Sequence, residues 1–364
     1  MLAPAALVPP AFPRASVRKA LALLTLPTLL ALSTVGCGSC GVCSFRGTLN
    51  EPSSRSMRRS MLQTGLSEFC KQMTSHNAPL KLSDDTPVIG RFYPRSCAQR
   101  EMSNGDLFVE FQGEGYAYTN VSKKVTFQMQ GAVQYNQDFL VAPDKCDVYA
   151  YFRPRQVVSS SFQVLKIEST TASFLNTLNP VGETFGRQLV SSKLNEGFTV
   201  IHDEDGSDDV SLGIVELGKR PFHAFNVRGQ DRVVLENSRT EVHQNQRDFI
   251  GPLEVTGDGQ AIFLRAQLDG APQLDLFLVP RAAGDASLRL YLDYPSHGPL
   301  AQPPTLADVL TQGTEYARAV PVPKGQYYVI IDNTPSAGVV NPPANLMDDR
   351  AAVVNYAVSV GEAP

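Results

Sequence analysis

The chain has 364 residues, 43% of them hydrophobic, and a formal net charge of −4. This length is enough for about two domains with buried cores. The charge is uneven: residues 1–59 carry seven Lys or Arg and one acid, which leaves 25 basic and 35 acidic residues, or −10, from residue 60 onward. Binding to a nucleic-acid backbone requires a basic patch, so the acidic body excludes a nucleic-acid partner.

The first 36 residues have the layout of a secretory signal. Arg14, Arg18 and Lys19 precede an apolar run over residues 20–32, and small residues follow it. A charged region, an apolar region of about 7–15 residues and a small-residue zone are typical of a cleaved export signal. Residues 1–36 are therefore expected to be removed on export and to form no part of the folded protein.

The sequence "TVGC" at residues 34–37 resembles the lipobox of bacterial lipoproteins, whose cysteine becomes the acylated N-terminus of the mature protein. The resemblance implies cleavage before Cys37 and a lipid on its thiol. Gly38 stands where an Asp often retains such lipoproteins at the inner membrane, so the resemblance also implies an outer-membrane location. Thr34 stands where the family usually has Leu, so secretion after a different cut and an uncleaved segment stay open as alternatives. A metal or iron–sulfur site at Cys37, Cys40 and Cys43 would need a further ligand, and this motif does not supply it.

Residues 37–85 are predicted to hold the lipidated cysteine, a tether and a short helix. Residues 44–60 are polar and rich in Ser and Arg, which is typical of a flexible tether, and their arginines are also suited to contact anionic headgroups. In "MLQTGLSEFCKQM", residues 61–73, apolar residues recur at helical spacing and predict a helix that docks on the first domain.

Two β domains are predicted after this, at residues 86–205 and 206–364. Short segments such as "GDLFVEF" and "QAIFLRAQLDG" alternate apolar and polar residues, and turn residues separate them. This pattern predicts a mainly β protein with two antiparallel β-sandwich domains of jelly-roll-like type. "SLRLYLDYP" at 287–295 is interpreted as a strand, residues 304–313 as one or two helical turns, and "PKG" at 323–325 as a hairpin turn.

The segment "VPKGQYYVIIDN" followed by "VNYAVSV", at residues 322–333 and 354–360, resembles the pre-peptidase C-terminal domain. That family is a β-sandwich found in secreted and surface bacterial proteins. The resemblance implies the fold of residues 206–364 and no site, because the calcium ligands reported in parts of the family match no residue here.

The remaining cysteines predict a disulfide. If Cys37 is lipidated, five cysteines are left in an oxidising compartment, which is an odd number. A bridge between two of Cys70, Cys97 and Cys146 is predicted, although sequence alone does not assign the pairing.

An acidic cluster offers a candidate calcium site. In "HDEDGSDD", residues 202–209, the carboxylates of Asp203, Asp205 and Asp209 offer oxygen ligands to Ca²⁺, and apart from this candidate no cofactor is predicted. The glycine does not stand where an EF-hand requires it. A solvated loop with a turn at its glycine is the alternative interpretation.

Two tyrosine pairs are the candidates for binding carbohydrate. Tyr116 and Tyr118, and likewise Tyr149 and Tyr151, stand at i, i+2 spacing and therefore point to one face of a strand. Such aromatic pairs stack on sugars, but they also stabilise sheets through contacts between strands.

The functional prediction rests on the expected location of the protein at the membrane more than on a recognised catalytic motif. The sequence contains no HExxH, nucleophile-elbow or phosphate-loop motif. It therefore predicts a non-catalytic, lipid-anchored protein of the cell envelope with an interaction or scaffolding role. Its partners would be the membrane, through the N-terminal lipid, and an envelope protein. A carbohydrate- or peptidoglycan-binding module is the alternative, and an envelope hydrolase is the third hypothesis.

Overall fold

A computed structural model describes residues 42–119, 123–168, 191–203, 206–227, 231–293, 298–342 and 351–364. The fold is mainly β with antiparallel sheets, as the alternation of apolar and polar residues predicts. Within the described ranges, none of the helices combines the length and the apolar character that crossing a membrane requires.

The first half of the chain forms one seven-stranded antiparallel sheet, whose strands lie side by side in chain order and curl into a half-barrel. The strands are β1 (Ala78–Leu80), β2 (Gly90–Glu101), β3 (Leu107–Thr119), β4 (Lys123–Val141), β5 (Val148–Ile167), β6 (Phe198–His202) and β7 (Asp208–Leu212). Short turns between most of them favour this order, because strands joined by a tight turn pair directly.

Two glycines of β3 allow aromatic rings to lie against the strand. A Cβ on Gly113 would come within 2.7 Å of the ring of Phe92, and one on Gly115 within 2.6 Å of the ring of Phe127. Glycine inside a strand commonly marks such a close approach. Gly113 and Gly115 therefore serve the packing of this sheet.

Residues 42–75, predicted as a tether and one short helix, are folded as helices against the sheet. They comprise α1 (Arg46–Asn50), a 3₁₀ turn (Pro52–Ser54), α2 (Arg55–Leu66) and α3 (Phe69–Ser75). As predicted, Leu66, Phe69 and Met73 pack on the aromatic core of the sheet. The tether interpretation is wrong for residues 44–60, because hydrogen bonds from Asn50 and Arg58 to β4 hold these residues in place.

The second half forms a sandwich of two four-stranded antiparallel sheets, in the strand orders β13-β10-β15-β8 and β12-β11-β14-β9. Their strands are β8 (Arg232–Val242), β9 (Arg247–Val255), β10 (Gln260–Asp269), β11 (Gln273–Pro280), β12 (Leu306–Thr311), β13 (Tyr316–Pro321), β14 (Gly325–Asp332) and β15 (Ala352–Glu362). We call them the β10 sheet and the β11 sheet. Inward-facing aliphatic residues of both sheets form one core between them.

Strand β11 is buried on both of its faces. Leu276 and Leu278 of β11 face the sandwich core, whereas Phe277 faces a second core that includes helix α4 (Arg281–Asp293). This double burial explains the nearly continuous apolar run of β11. The strand predicted for "SLRLYLDYP" is wrong, because most of these residues belong to α4, where Leu288 and Leu292 are buried at i, i+4 spacing.

Two other local predictions are wrong. The helical turn predicted within residues 304–313 is strand β12, which pairs with β11. The "PKG" segment does not close a hairpin, since β13 pairs with β10 and β14 pairs with β11 and β9. Both differences arise because the chain crosses between the two sheets here, and a sequence pattern does not show to which sheet a strand belongs.

The sheets divide the chain after residue 212. Strand β7 pairs with β6, so the seven-stranded sheet includes residues beyond the predicted boundary at 205. The described residues of both halves form one compact unit. A parallel bridge between Val88 and Thr240 links the segment before β2 to strand β8.

Candidate functional site

The structure pairs four of the six cysteines. Cys70 is bonded to Cys97 and Cys43 to Cys146, with Cα–Cα distances of 5.2 and 5.4 Å. Cys70 and Cys97, two of the three predicted candidates, are thus bonded to each other. The third candidate, Cys146, is bonded to Cys43, which was not a candidate. Cys37, the predicted lipidation site, lies outside the described residues.

The four tyrosines proposed for sugar stacking are buried, which contradicts that role. Tyr116, Tyr118, Tyr149 and Tyr151 are between 1% and 6% exposed. The Tyr116 hydroxyl donates a hydrogen bond to Asp248 Oδ1 (2.7 Å), and the Tyr149 hydroxyl donates to the carbonyl of Lys219 (2.7 Å). A ring that packs inside the protein offers no face to a sugar, so these four tyrosines serve internal packing instead.

Arg220 lies among the carboxylates of the predicted calcium loop. It forms ion pairs with Asp203 and with Asp147, and its Nη1 lies 3.0 Å from Asp209 Oδ2. The third candidate, Asp205, lies outside the described residues. Among the described residues, no three His, Cys, Asp or Glu side chains are grouped so that they could hold a metal ion. In this structure the cation that Asp203 and Asp209 bind is a guanidinium.

His223 completes this charged cluster beside a cavity of about 290 Å³. Its Nε2 lies 3.0 Å from Asp209 Oδ1. Burial alone would raise the pKa of Asp209, but the hydrogen bond from His223 and the charge of Arg220 hold that pKa below its usual value. Asp209 is therefore an ionised partner that fixes His223 and Arg220 in place.

A larger groove, of about 460 Å³, lies on the outer face of the β10 sheet. The strand register shows why it forms: Arg265 lies opposite Ala317 of β13 and Ala357 of β15, so small side chains flank a long one. In the next row Phe263 lies opposite Ala319. Cross-strand partners share a face of the sheet, and the alanines leave a depression between the longer side chains.

Arginines and Phe263 form the walls of this groove, and Phe225 stacks on one of these arginines. The guanidinium of Arg232 lies 3.5 Å from the ring centroid of Phe263, and that of Arg265 lies 4.7 Å from the ring of Phe225. Arg265 also donates to both carboxylate oxygens of Glu315 (2.7 and 3.2 Å). Pairing with rings and a carboxylate holds these guanidinium planes in fixed orientations. We call this surface the arginine groove.

The arginine groove was not among the predicted sites. The available signal is the alternation in "AIFLRAQ" and "YARAV", which places Phe263 and Arg265 on the face opposite to the core residues of β10. Sequence alone did not predict that β13 and β15 flank β10, because that arrangement depends on the crossings between the two sheets.

A buried ion pair joins the seven-stranded sheet to the sandwich. Arg91 of β2 donates to both carboxylate oxygens of Asp248 of β9, at 2.7 and 2.8 Å. The hydroxyl groups of Tyr116 and Tyr356 are bonded to the same pair. Burial would raise the pKa of Asp248, but the charge and hydrogen bonds of Arg91 keep it below its usual value. This network sets how the two regions dock.

Lys124 lies at a second contact between the two regions. Its Nζ donates to the carbonyl of Tyr291 on α4 (2.9 Å) and lies 3.9 Å from the centroid of that ring. Burial lowers the pKa of Lys124 to about 8, against an opposing effect of Glu168. Lys124 therefore loses its proton at a lower pH than an exposed lysine does.

Comparison of the sequence with models of known protein families, and with curated proteins, finds no match. The similarity to bacterial lipoproteins and to the pre-peptidase C-terminal domain therefore stays a prediction from the motifs given above.

Proposed function

We propose that this chain is an exported protein of the bacterial envelope, anchored to the outer membrane by a lipid on Cys37. Its folded body would bind an envelope protein and perform no catalysis. The observation that carries the proposal is the pair of disulfides Cys43–Cys146 and Cys70–Cys97, the first of which begins six residues after the lipobox cysteine.

Disulfides support export because they persist in oxidising compartments and are rare in the cytosol of most bacteria. The two disulfides also account for four of the six cysteines. Only Cys37 and Cys40 lie outside these two bridges. A lipid on Cys37 then agrees with the export signal that precedes it.

The arginine groove supports an interaction role. Arginine and aromatic residues are enriched at protein interfaces, and fixed guanidinium groups bind carboxylates with defined geometry. Phe263 already carries Arg232 on its ring, so this ring is engaged within the protein. A protein segment fits these walls, whose guanidinium groups stack on rings, better than a sugar that needs a bare aromatic face.

Mass spectrometry tests the anchor. The mature protein from membranes and its Cys37→Ala variant are compared without reduction, together with their N-terminal peptides. We expect cleavage before Cys37 and added acyl mass in the parent, and neither in the variant. An unlipidated mature N-terminus would contradict the anchor while leaving the two disulfides countable in the same spectrum.

Site-specific photo-crosslinking in intact cells tests the partner. A photoreactive amino acid replaces Ala317, which is exposed in the arginine groove, and Gln163, which is exposed on β5, serves as the control. We expect one protein adduct from position 317 alone, and its loss when Arg232→Glu is added. A glycan adduct would favour the carbohydrate-binding alternative, and turnover of envelope polymers by the purified protein would favour the hydrolase.

A further inference from the structure

The disulfide Cys43–Cys146 fixes the start of the described chain to one end of the seven-stranded sheet. Cys146 lies in the turn between β4 and β5, and α1 is held against the same place. The side chain of Asn50 donates to the carbonyl of Val141 (2.8 Å) and accepts from its N–H (2.9 Å). Leu49 is buried beside Val141. The chain therefore leaves the folded body at a defined point.

This point lies close to the proposed lipid. Six residue steps separate Cys37 from Cys43, and an extended chain covers at most about 3.3–3.6 Å per residue, or roughly 20 Å in all. A flexible tether up to residue 60 would have permitted about four times that reach. A lipid on Cys37 thus restricts how far the β4–β5 turn can move from the bilayer.

The surface around the turn contains a side chain suited to a bilayer. Phe45 is 65% exposed, next to the bridged Cys43, although large aromatic side chains are usually buried. Residues 143–145 of the turn are exposed as well. Aromatic and aliphatic side chains on anchoring segments insert about 5–10 Å into the boundary between headgroups and acyl chains.

We propose that Phe45 and the exposed residues 143–145 of the β4–β5 turn form the membrane-facing surface of the anchored protein. The partner of this surface is the lipid bilayer itself. This inference rests on the proposed function, because the short distance to the membrane requires the lipid on Cys37. Phe45 then adds a second contact with the membrane, and the body is held in one orientation.

The chain contains no tryptophan, so a single substitution supplies a unique fluorescent probe. Phe45→Trp reports on the proposed surface. Leu290→Trp is the matched control, because Leu290 is 44% exposed on α4, whose neighbour Tyr291 contacts Lys124 at the far end of β4 from the turn. β4 has 19 residues, a path of roughly 60 Å along the strand.

The acylated full-length variants are purified from membranes and incorporated into phosphatidylcholine vesicles with or without brominated acyl chains. We expect brominated lipid to reduce the emission of the tryptophan at position 45 by about twofold or more, since that ring reaches the acyl boundary. The emission of the tryptophan at position 290 should stay unchanged.

A longer tether supplies a second test that leaves the folded body intact. A flexible Gly-Ser insertion of about twelve residues after Cys40 adds roughly 40 Å of reach. We expect it to weaken the quenching at position 45 while the protein still floats with the vesicles. Quenching that is unchanged by the insertion would show that the short tether does not orient the body.

The outcomes separate this inference from the proposed function. Protein that floats with the vesicles and carries acyl mass, but shows no quenching at position 45, would overturn the membrane-facing surface and leave the anchor in place. Equal quenching at positions 45 and 290 would overturn the single orientation. Protein without acyl mass that does not float would overturn both proposals.

Discussion

The seven-stranded sheet and the sandwich are stabilised by different means. Helices α1–α3 cover the sheet, and both disulfides lie within residues 43–146, whereas no cysteine follows residue 146. Among the described residues, the sandwich instead buries one large hydrophobic core between its two sheets. Two sheets that face each other bury their inner faces mutually, while short helices cover a single sheet less completely. Crosslinks therefore matter most in the N-terminal region.

Removal of the Cys43–Cys146 disulfide should lower the free energy of unfolding the most. The bridge closes a sequence separation of 103 residues, and a loop of about 100 residues corresponds to about 4–5 kcal/mol of the free energy of unfolding. Hydrogen exchange of the Cys43→Ala/Cys146→Ala variant should show lost protection in β4 and β5 and retained protection in β10 and β11. The control is Cys40→Ala, which removes a cysteine outside both bridges. An equal loss of protection in the sandwich would contradict the comparison.

Breaking the ion pair between the two regions should come next. Arg91→Met leaves the Asp248 carboxylate buried without its partner, which typically costs about 3–5 kcal/mol. Urea unfolding should show this loss, and the double variant Arg91→Met/Asp248→Leu should recover part of it because the uncompensated charge is gone. A double variant that is no more stable than Arg91→Met would argue against a buried charge as the cause.

The contact at Lys124 should make stability depend on alkaline pH. Burial lowers the pKa of Lys124 to about 8, whereas an unfolded lysine titrates near 10.5. The unfolded chain then holds more protons between these values, so the free energy of unfolding rises with pH there, by up to about 3 kcal/mol. Lys124→Met should remove this rise in urea titrations between pH 7 and pH 10.5. The idea fails if parent and variant have the same pH slope.

Breaking an exposed ion pair should lower the free energy of unfolding the least, and by the same amount in the two regions. Arg95–Glu114 lies on the seven-stranded sheet and Arg265–Glu315 on the sandwich, and all four side chains are between 34% and 50% exposed. Such pairs contribute about 0–1 kcal/mol. Arg95→Met shares strand β2 with Arg91→Met and is thus its matched control. A loss of several kcal/mol from either exposed pair would show that burial does not govern these energies.

The tyrosine pairs show where a sequence pattern is insufficient. Their i, i+2 spacing correctly predicts that Tyr116 and Tyr118 share a face of β3, but that face is covered at these two positions. Tyr116 is buried because Phe249 of the sandwich and Tyr291 of α4 pack on it. Those contacts join residues more than 130 positions apart, and one strand's alternation contains no information about them.

The candidate sites show the same limit. The acidic loop is evident in the sequence, but its cation, Arg220, comes from a later segment and is identified only by the fold. The arginine groove combines residues of β8, β10, β13 and β15, whose order in the sheet follows from crossings between two sheets. No local propensity specifies that order.

The sequence by itself determined the mainly β class, the antiparallel pairing and the apolar stripe of α2 and α3, because period and turn residues are local properties of the chain. Tertiary structure alone decided that residues 42–60 are folded: Arg58 is 3% exposed and bonded to Asp138, 80 positions away. It also decided that α4 is a helix. Long-range contacts outweigh local preference in both places, since burial and pairing depend on neighbours that the chain brings together only when it folds.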